Sequence, residues 1–222
     1  MEAAQSEKLA FGQQVSDDNK EEMKKHDYHK DIIDKQYDEL APNYEDLYLR
    51  AGWNDPEECA KLARDTEESL GDELKGDKDS MEILDLGCGS GLVGKHLKDY
   101  GFNKVVGVDC SQGMLDEVSK NRPDSYSELK LLFLGSPDTY PEDLKNRFAF
   151  TTASGILADN HLDTSVFEEM LMSLKVGGIA CFATRTEYLE KYEYGAYMKK
   201  LVDDGRWAFV KEVTFGRYDK LG

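Results

Sequence analysis

Five residues of this sequence are spaced to do chemistry together: Asp85, Gly87, Gly89, Gly91 and Asp109. The first four fall in Met81-Glu82-Ile83-Leu84-Asp85-Leu86-Gly87-Cys88-Gly89-Ser90-Gly91-Leu92, where an apolar run ends in glycines and a helical pattern follows. That order reads as strand, tight turn, helix. Glycines let the backbone turn sharply and let a ligand lie against it with no Cβ in the way. Eighteen residues past Gly91, a second apolar run, Val105-Val106-Gly107-Val108, ends in Asp109. An acid at the tip of the second strand of a βαβ unit can accept hydrogen bonds from both hydroxyls of a ribose. Together the two sites predict a pocket for a nucleoside-containing cofactor.

Two cofactor chemistries compete for that pocket. The dinucleotide fingerprint sets a helix N-terminus against a pyrophosphate. Gly89-x-Gly91-x-x-Gly94 fits it, which keeps an NAD(P)-dependent oxidoreductase as an alternative. Asp85 argues the other way. A carboxylate two residues before the first glycine sits poorly beside a pyrophosphate and suits a ligand with a cationic amino group. The run Asp-x-Gly-x-Gly-x-Gly resembles motif I of the class I S-adenosylmethionine-dependent methyltransferases. The resemblance continues through Gly107-Val108-Asp109-Cys110-Ser111, with Met114 following. It resumes at Leu134-Gly135-Ser136-Pro137 and at Leu174-Lys175-Val176-Gly177-Gly178, and covers most of residues 80–185. Gly89-Ser90-Gly91-Leu92-Val93 and Thr184-Arg185-Thr186 look more narrowly like the methyltransferase-like protein 27 family, which is poorly defined in substrate.

The resemblance implies S-adenosyl-L-methionine as cofactor and S-adenosyl-L-homocysteine as product. It gives Asp85 the methionine ammonium, directly or through water; capping the glycine turn is the other reading. Gly87, Gly89 and Gly91 would pass beside the methionyl and ribose portions, with Cys88 and Cys110 in or beside the pocket as small packing residues. Asp109 would anchor the ribose, or cap the next helix, a task open to Ser111 as well. Met114 would lie on the adenine or fill the core. Ser136 stands where the family often carries an acid that reads the adenine amino group. Ser154 ends the fourth strand, where the family positions the methyl and the substrate. Tyr37 and Tyr44 fall in Gln36-Tyr37-Asp38-Glu39-Leu40-Ala41-Pro42-Asn43-Tyr44-Glu45, which resembles the helix that lids the cofactor in small-molecule methyltransferases. They also suit core aromatics.

Methyl transfer displaces a group from an activated sulfonium, so positioning and desolvation carry much of it. A base is needed only for a proton-bearing nucleophile. The candidate bases are His161 and Asp159, although a lone loop histidine is more often solvated surface. Arg185 suits a substrate carboxylate or a helix cap. The sequence lacks the N/D-P-P-Y/F/W motif used on nucleobase amines and the Pro-Cys dipeptide used on cytosine C5.

The elements that must position these residues alternate. Strands are predicted at 81–86, 104–109, 129–134, 147–153, 178–184 and 207–215. Helices are predicted at 91–100, 112–121, 165–174 and 188–204, with a weak one at 140–146. Such alternation means a Rossmann-like α/β fold with a doubly wound, mostly parallel sheet. The family usually ends on an antiparallel strand pair; this chain supplies one strand, so the last is missing or replaced. Upstream, Asp55-Pro56-Glu57-Glu58 reads as an N-cap, a first-turn proline and a first-turn acid pair for a helix to about Leu70. The expected division is a polar lead-in at 1–27, a helical cofactor lid at 28–79 and the core at 80–222.

Bulk composition sharpens the functional expectation. Lys plus Arg number 28 against 45 Asp plus Glu, a net charge of −17. That total repels a phosphate backbone, so nucleic acid is a poor substrate. The four cysteines form no C-x-x-C pair, so no metal site is expected. No membrane span or signal peptide is read, and the expectation is a soluble cytoplasmic monomer with nuclear entry open. The function expected is methyl transfer to a small molecule, or to a protein side chain. A non-catalytic S-adenosylmethionine- or S-adenosylhomocysteine-binding protein is the alternative.

Overall fold

The computed structural model describes residues 30–50, 52–71, 74, 78–159 and 161–218; the predicted lead-in at 1–27 lies outside the described residues. Its centre is a five-stranded parallel sheet of β1 (Glu82–Leu86), β2 (Lys104–Asp109), β3 (Glu128–Leu131), β4 (Phe148–Leu157) and β5 (Leu174–Thr184). The spatial order is β3-β2-β1-β4-β5. The chain winds outward from β1 to β3, then crosses over to place β4 on the other side of β1. That reversal opens a crevice at the carboxyl ends of β1 and β4.

Each strand alternates because each face meets a different layer. Ile83, Val105, Phe150 and Cys181 join Ala60 and Ala63 of α3 (Asp55–Leu70) and Val93 and Leu97 of α4 (Leu92–Asp99). Leu84, Leu86, Val106 and Val108 face the opposite layer. There they meet Phe167 and Met170 of α6 (Ser165–Ser173), Tyr188 of α7 (Thr186–Lys191), and Tyr194 and Leu201 of α8 (Tyr194–Asp203). The connection between β2 and β3 is α5 (Gln112–Asn121), capped by the Ser111 hydroxyl, which accepts from the Met114 N–H at 3.0 Å. Above the crevice lie α1 (Lys30–Leu40), a 3-10 turn (Ala41–Asn43) and α2 (Tyr44–Arg50). Of the segment expected to form a lid, α1 and α2 border the crevice, whereas α3 packs into the layers of the core.

Several expected elements take another form. No strand forms at 207–215. A hairpin arm needs a second arm to pair with, and among the described residues the only pairing of this C-terminal stretch is an isolated bridge between Trp53 and Tyr218. Phe209, Val210 and Val213 are left exposed, while Trp207 packs edge-on against Phe167 with ring centroids 5.8 Å apart. The single helix expected at 188–204 breaks into α7 and α8 at Glu193, whose φ is +60°. The break seats Tyr194 in the core, its hydroxyl donating to the Leu162 carbonyl. Pro141 separates two 3-10 turns, Pro137–Thr139 and Glu142–Leu144, where a weak helix was expected. Helix α3 starts at Asp55 with Asn54 as its N-cap; the Asp55 carboxylate instead pairs with Arg217 Nε at 3.0 Å. Strand β4 runs on to Leu157, which brings Gly155 and Ile156 to the crevice.

Candidate active site

The crevice holds about 650 Å³ of empty space, counting its open mouth. Its floor is the loop between β1 and α4. Gly87, at φ +66°, cannot carry a side chain there: a Cβ would stand 2.2 Å from Ile156 Cγ2. Ile156 and the loop thus approach as closely as two backbones with one side chain between them allow.

Asp109 closes the next wall. Its Oδ2 accepts from the Gly89 N–H at 2.8 Å and its Oδ1 from the Ser111 N–H at 2.9 Å. Burial pushes its pKa up, and those backbone N–H groups pull it back. A carboxylate has about four acceptor sites, so some acceptor capacity remains for a ligand. Cys110, Met114, Leu132, Phe133 and Leu134 extend this wall into an apolar slot. Burial pushes the Cys110 thiol up to about 12, so it stays protonated. On the β4 side Ser154 lines the cavity, its buried Oγ without a hydrogen-bond partner among the described residues.

The lid supplies Ile33, Tyr37 and Tyr44. It is fastened at three points. Asp38 Oδ1 accepts from the Ser111 hydroxyl at 2.6 Å and the Gly113 N–H at 2.8 Å, at the start of α5. Glu45 takes both Nη groups of Arg122, at 2.5 and 2.8 Å, and Arg122 also donates to the Ser90 carbonyl of the glycine loop. Tyr37 Oη stands 2.7 Å from His161 Nε2. His161 Nδ1 lies 2.7 Å from the Asp159 carbonyl, which can only accept. Nδ1 therefore carries the proton, and Nε2 accepts from the tyrosine. Burial lowers the His161 pKa and keeps the ring neutral.

Of the residues singled out in the sequence, Tyr37, Tyr44, Gly87, Gly89, Asp109, Cys110, Met114, Ser154 and His161 reach the cavity wall. Asp85, Cys88, Gly91, Ser136 and Asp159 do not. Asp85 is fully buried under the loop, accepting from Tyr126 Oη at 2.7 Å and Thr152 Oγ1 at 2.8 Å. Cys88 is buried, its N–H donated to the Val108 carbonyl. Gly91 caps α4 with its open side toward Val118 and Tyr126. The Ser136 and Gly135 N–H groups donate to Glu169, at 2.9 and 2.8 Å, which turns that loop toward α6. Asp159 is taken by Tyr188, Tyr192 and Lys191. Sequence reasoning missed Asp38, Tyr126 and Glu169. The glutamate sits in an amphipathic helix at an inward position, and that position was its only signal.

Known proteins bear on this geometry. A family profile described as a methyltransferase domain matches residues 83–178. The chain is 33% identical over 177 residues to Methyltransferase-like protein 27 of Homo sapiens, covering 77% of this chain and 66% of that protein. It is 24% identical over 136 residues to Ribosomal protein L11 methyltransferase of Aquifex aeolicus, covering 60% and 52%. The crystal structure of DesVI from Streptomyces venezuelae matches 64% of this chain and 56% of that one, at 22% identity and a TM-score of 0.45. The chain thus spans between half and about two thirds of the length of these relatives. With the glycine loop, the acid ending β2 and the parallel sheet in place, the matched residues assign the chain to the class I S-adenosylmethionine-dependent methyltransferase family.

Proposed function

We propose that this chain transfers the methyl group of S-adenosylmethionine to a small-molecule acceptor. The observation that carries the reading is the shared cavity of Gly87, Gly89, Asp109, Ser154 and the lid tyrosines at the reversal point of the sheet. The residues present fit the cofactor. Gly87 and Gly89 bring bare backbone to the cavity wall, with nothing within 4 Å of the place a Gly89 Cβ would take, Asp109 keeps acceptor capacity, and Ser154 Oγ has no hydrogen-bond partner among the described residues. When bound, the cofactor supplies an electrophilic methyl on a sulfonium. The chain's own part is to hold and dry the site. Tyr37 and Tyr44, with rings 6.1 Å apart, cover it and exclude water. His161, neutral and accepting at Nε2 from the Tyr37 hydroxyl, takes a proton from an acceptor only by relay through that hydroxyl. The acidic surface and the enclosed cavity suit a small molecule better than a polyanion.

One observation favours a second reading, a non-catalytic binder of the same nucleosides: His161 Nε2 is already engaged by Tyr37. Calorimetric titration with S-adenosylmethionine, S-adenosylhomocysteine and NADH tests the cofactor. Micromolar binding of the two sulfur nucleosides and none of NADH is expected; binding of NADH alone would overturn the assignment. Transfer of labelled methyl to a metabolite extract separates enzyme from binder.

A further inference from the structure

Beneath the glycine loop lies a buried carboxylate with no cation to balance it. Asp85 is fully buried, and no lysine or arginine pairs with it among the described residues. The groups that face it are Tyr126 from the loop before β3, Thr152 of β4, Asp109 at the end of β2, Cys59 of α3 and Cys88 of the glycine loop. None is cationic. A buried charge without a partner is costly, so this site is completed by a proton or by a positive ligand group.

The Tyr126 hydroxyl sits at the centre of the arrangement. It donates to Asp85 Oδ2 at 2.7 Å and accepts from the Gly94 N–H at 3.0 Å. One phenol thereby ties the carboxylate to the first turn of α4, the helix that the glycine loop enters. The ring is locked in its slot: a Cβ at Gly94 would stand 2.2 Å from it, and one at Gly107 2.9 Å.

We infer that Tyr126 is a positioning residue for the cofactor: it ties the Asp85 carboxylate, which lies beneath the glycine loop and not on the cavity wall, to that loop and to α4 as one unit, and the buried charge acts from there on the ammonium of the cofactor's amino-acid arm. This rests on the S-adenosylmethionine reading above. It gives the binding a pH signature. Burial pushes the Asp85 pKa up to about 7, with the bonds from Tyr126 and Thr152 pulling it down. An ammonium favours the ionised form, so binding below that pH expels a proton, and affinity falls by up to about tenfold per pH unit. Well above neutral pH the ligand's own α-ammonium loses its proton, and affinity falls again.

The test is the affinity for S-adenosylhomocysteine, by calorimetry from about pH 5.5 to 9, against that for 5′-methylthioadenosine, which lacks the amino-acid arm. In Tyr126→Phe the acid limb for S-adenosylhomocysteine moves up by about one pH unit, with about a fivefold loss at pH 7. Thr152→Val moves it in the same direction and decides the matter if the tyrosine variant does not fold. Asp85→Asn removes the limb, and 5′-methylthioadenosine shows none in any variant. Equal losses for both ligands at every pH would mean that Tyr126 only supports the fold, and would overturn the inference. If neither nucleoside binds the wild-type protein, the cofactor reading itself fails and takes this inference with it; a flat acid limb with tight binding sinks the inference alone.

Discussion

The two halves of the sheet are built on different terms. On the β1–β2 side every polar group at the crevice is fixed by a short-range bond: Asp109 by the Gly89 and Ser111 N–H groups, Ser111 by Met114 and Asp38, and Arg122 by Glu45 and Ser90. On the β4–β5 side the groups are looser in chemistry. Ser154 Oγ is buried without a hydrogen-bond partner among the described residues, and the described C-terminal stretch is held by the Trp53–Tyr218 bridge, the Arg217–Asp55 ion pair and the packing of Trp207. The polar groups of the first half hold one another in place, while the second leaves Ser154 Oγ available beside an engaged Asp159 and His161. That division suits a protein whose cofactor is constant and whose acceptor is particular to it.

Four substitutions break or sharpen the contrast, judged by their effect on S-adenosylhomocysteine affinity. Asp109→Ala should have the largest. Two ribose hydrogen bonds at roughly 1.5 kcal/mol each amount to a loss of about 100-fold, with the circular dichroism of the fold retained. Unchanged affinity would remove the β1–β2 half from the comparison. Gly87→Ala drives a methyl into Ile156 at a positive φ. It should lower stability by about 1–3 kcal/mol and affinity by an order of magnitude. Combining it with Ile156→Ala should recover part of both, since the two residues share one contact. Asp38→Ala removes two lid bonds and should cost about threefold to tenfold in affinity. Backbone amides of residues 33–49 should then lose the slowing of hydrogen exchange that ligand confers on the wild type.

The smallest effect on affinity belongs to the other half. Arg217→Met strands the Asp55 carboxylate, whose pKa burial raises and Arg217 lowers. A carboxyl with a raised folded-state pKa contributes its stability at low pH and loses it as pH rises through that pKa. Removing Arg217 raises it further. The variant should therefore melt like wild type near pH 4 and fall progressively behind toward pH 7, by about 1–3 kcal/mol. Its affinity for S-adenosylhomocysteine should stay within about twofold; a larger change would join the C-terminal stretch to the cofactor half.

What was readable in advance follows the same line. The glycine loop, Asp109 and the Ser111 cap are local devices, each confined to a few consecutive residues, and all stand where their spacing placed them. The parallel strands were visible because a strand buried on both faces leaves an apolar run. Tyr126 was not visible. It lies among the turn residues Pro123-Asp124-Ser125, and it meets Asp85 across 41 positions of sequence. Only the three glycines that leave room for its ring, Gly91, Gly94 and Gly107, hinted that something must fill their space. Strand 207–215 failed for the opposite reason. Its pattern is right, but a pattern does not supply a neighbour.

The lid's three fastenings also set a timetable. Two of them grip opposite ends of α5, through Ser111 and Gly113 at one end and Arg122 at the other, and the third reaches the loop after β4. No single rupture frees the lid. A ligand held beneath Tyr37 and Tyr44 escapes only after several polar contacts open together, so its residence time exceeds what its own contacts would give.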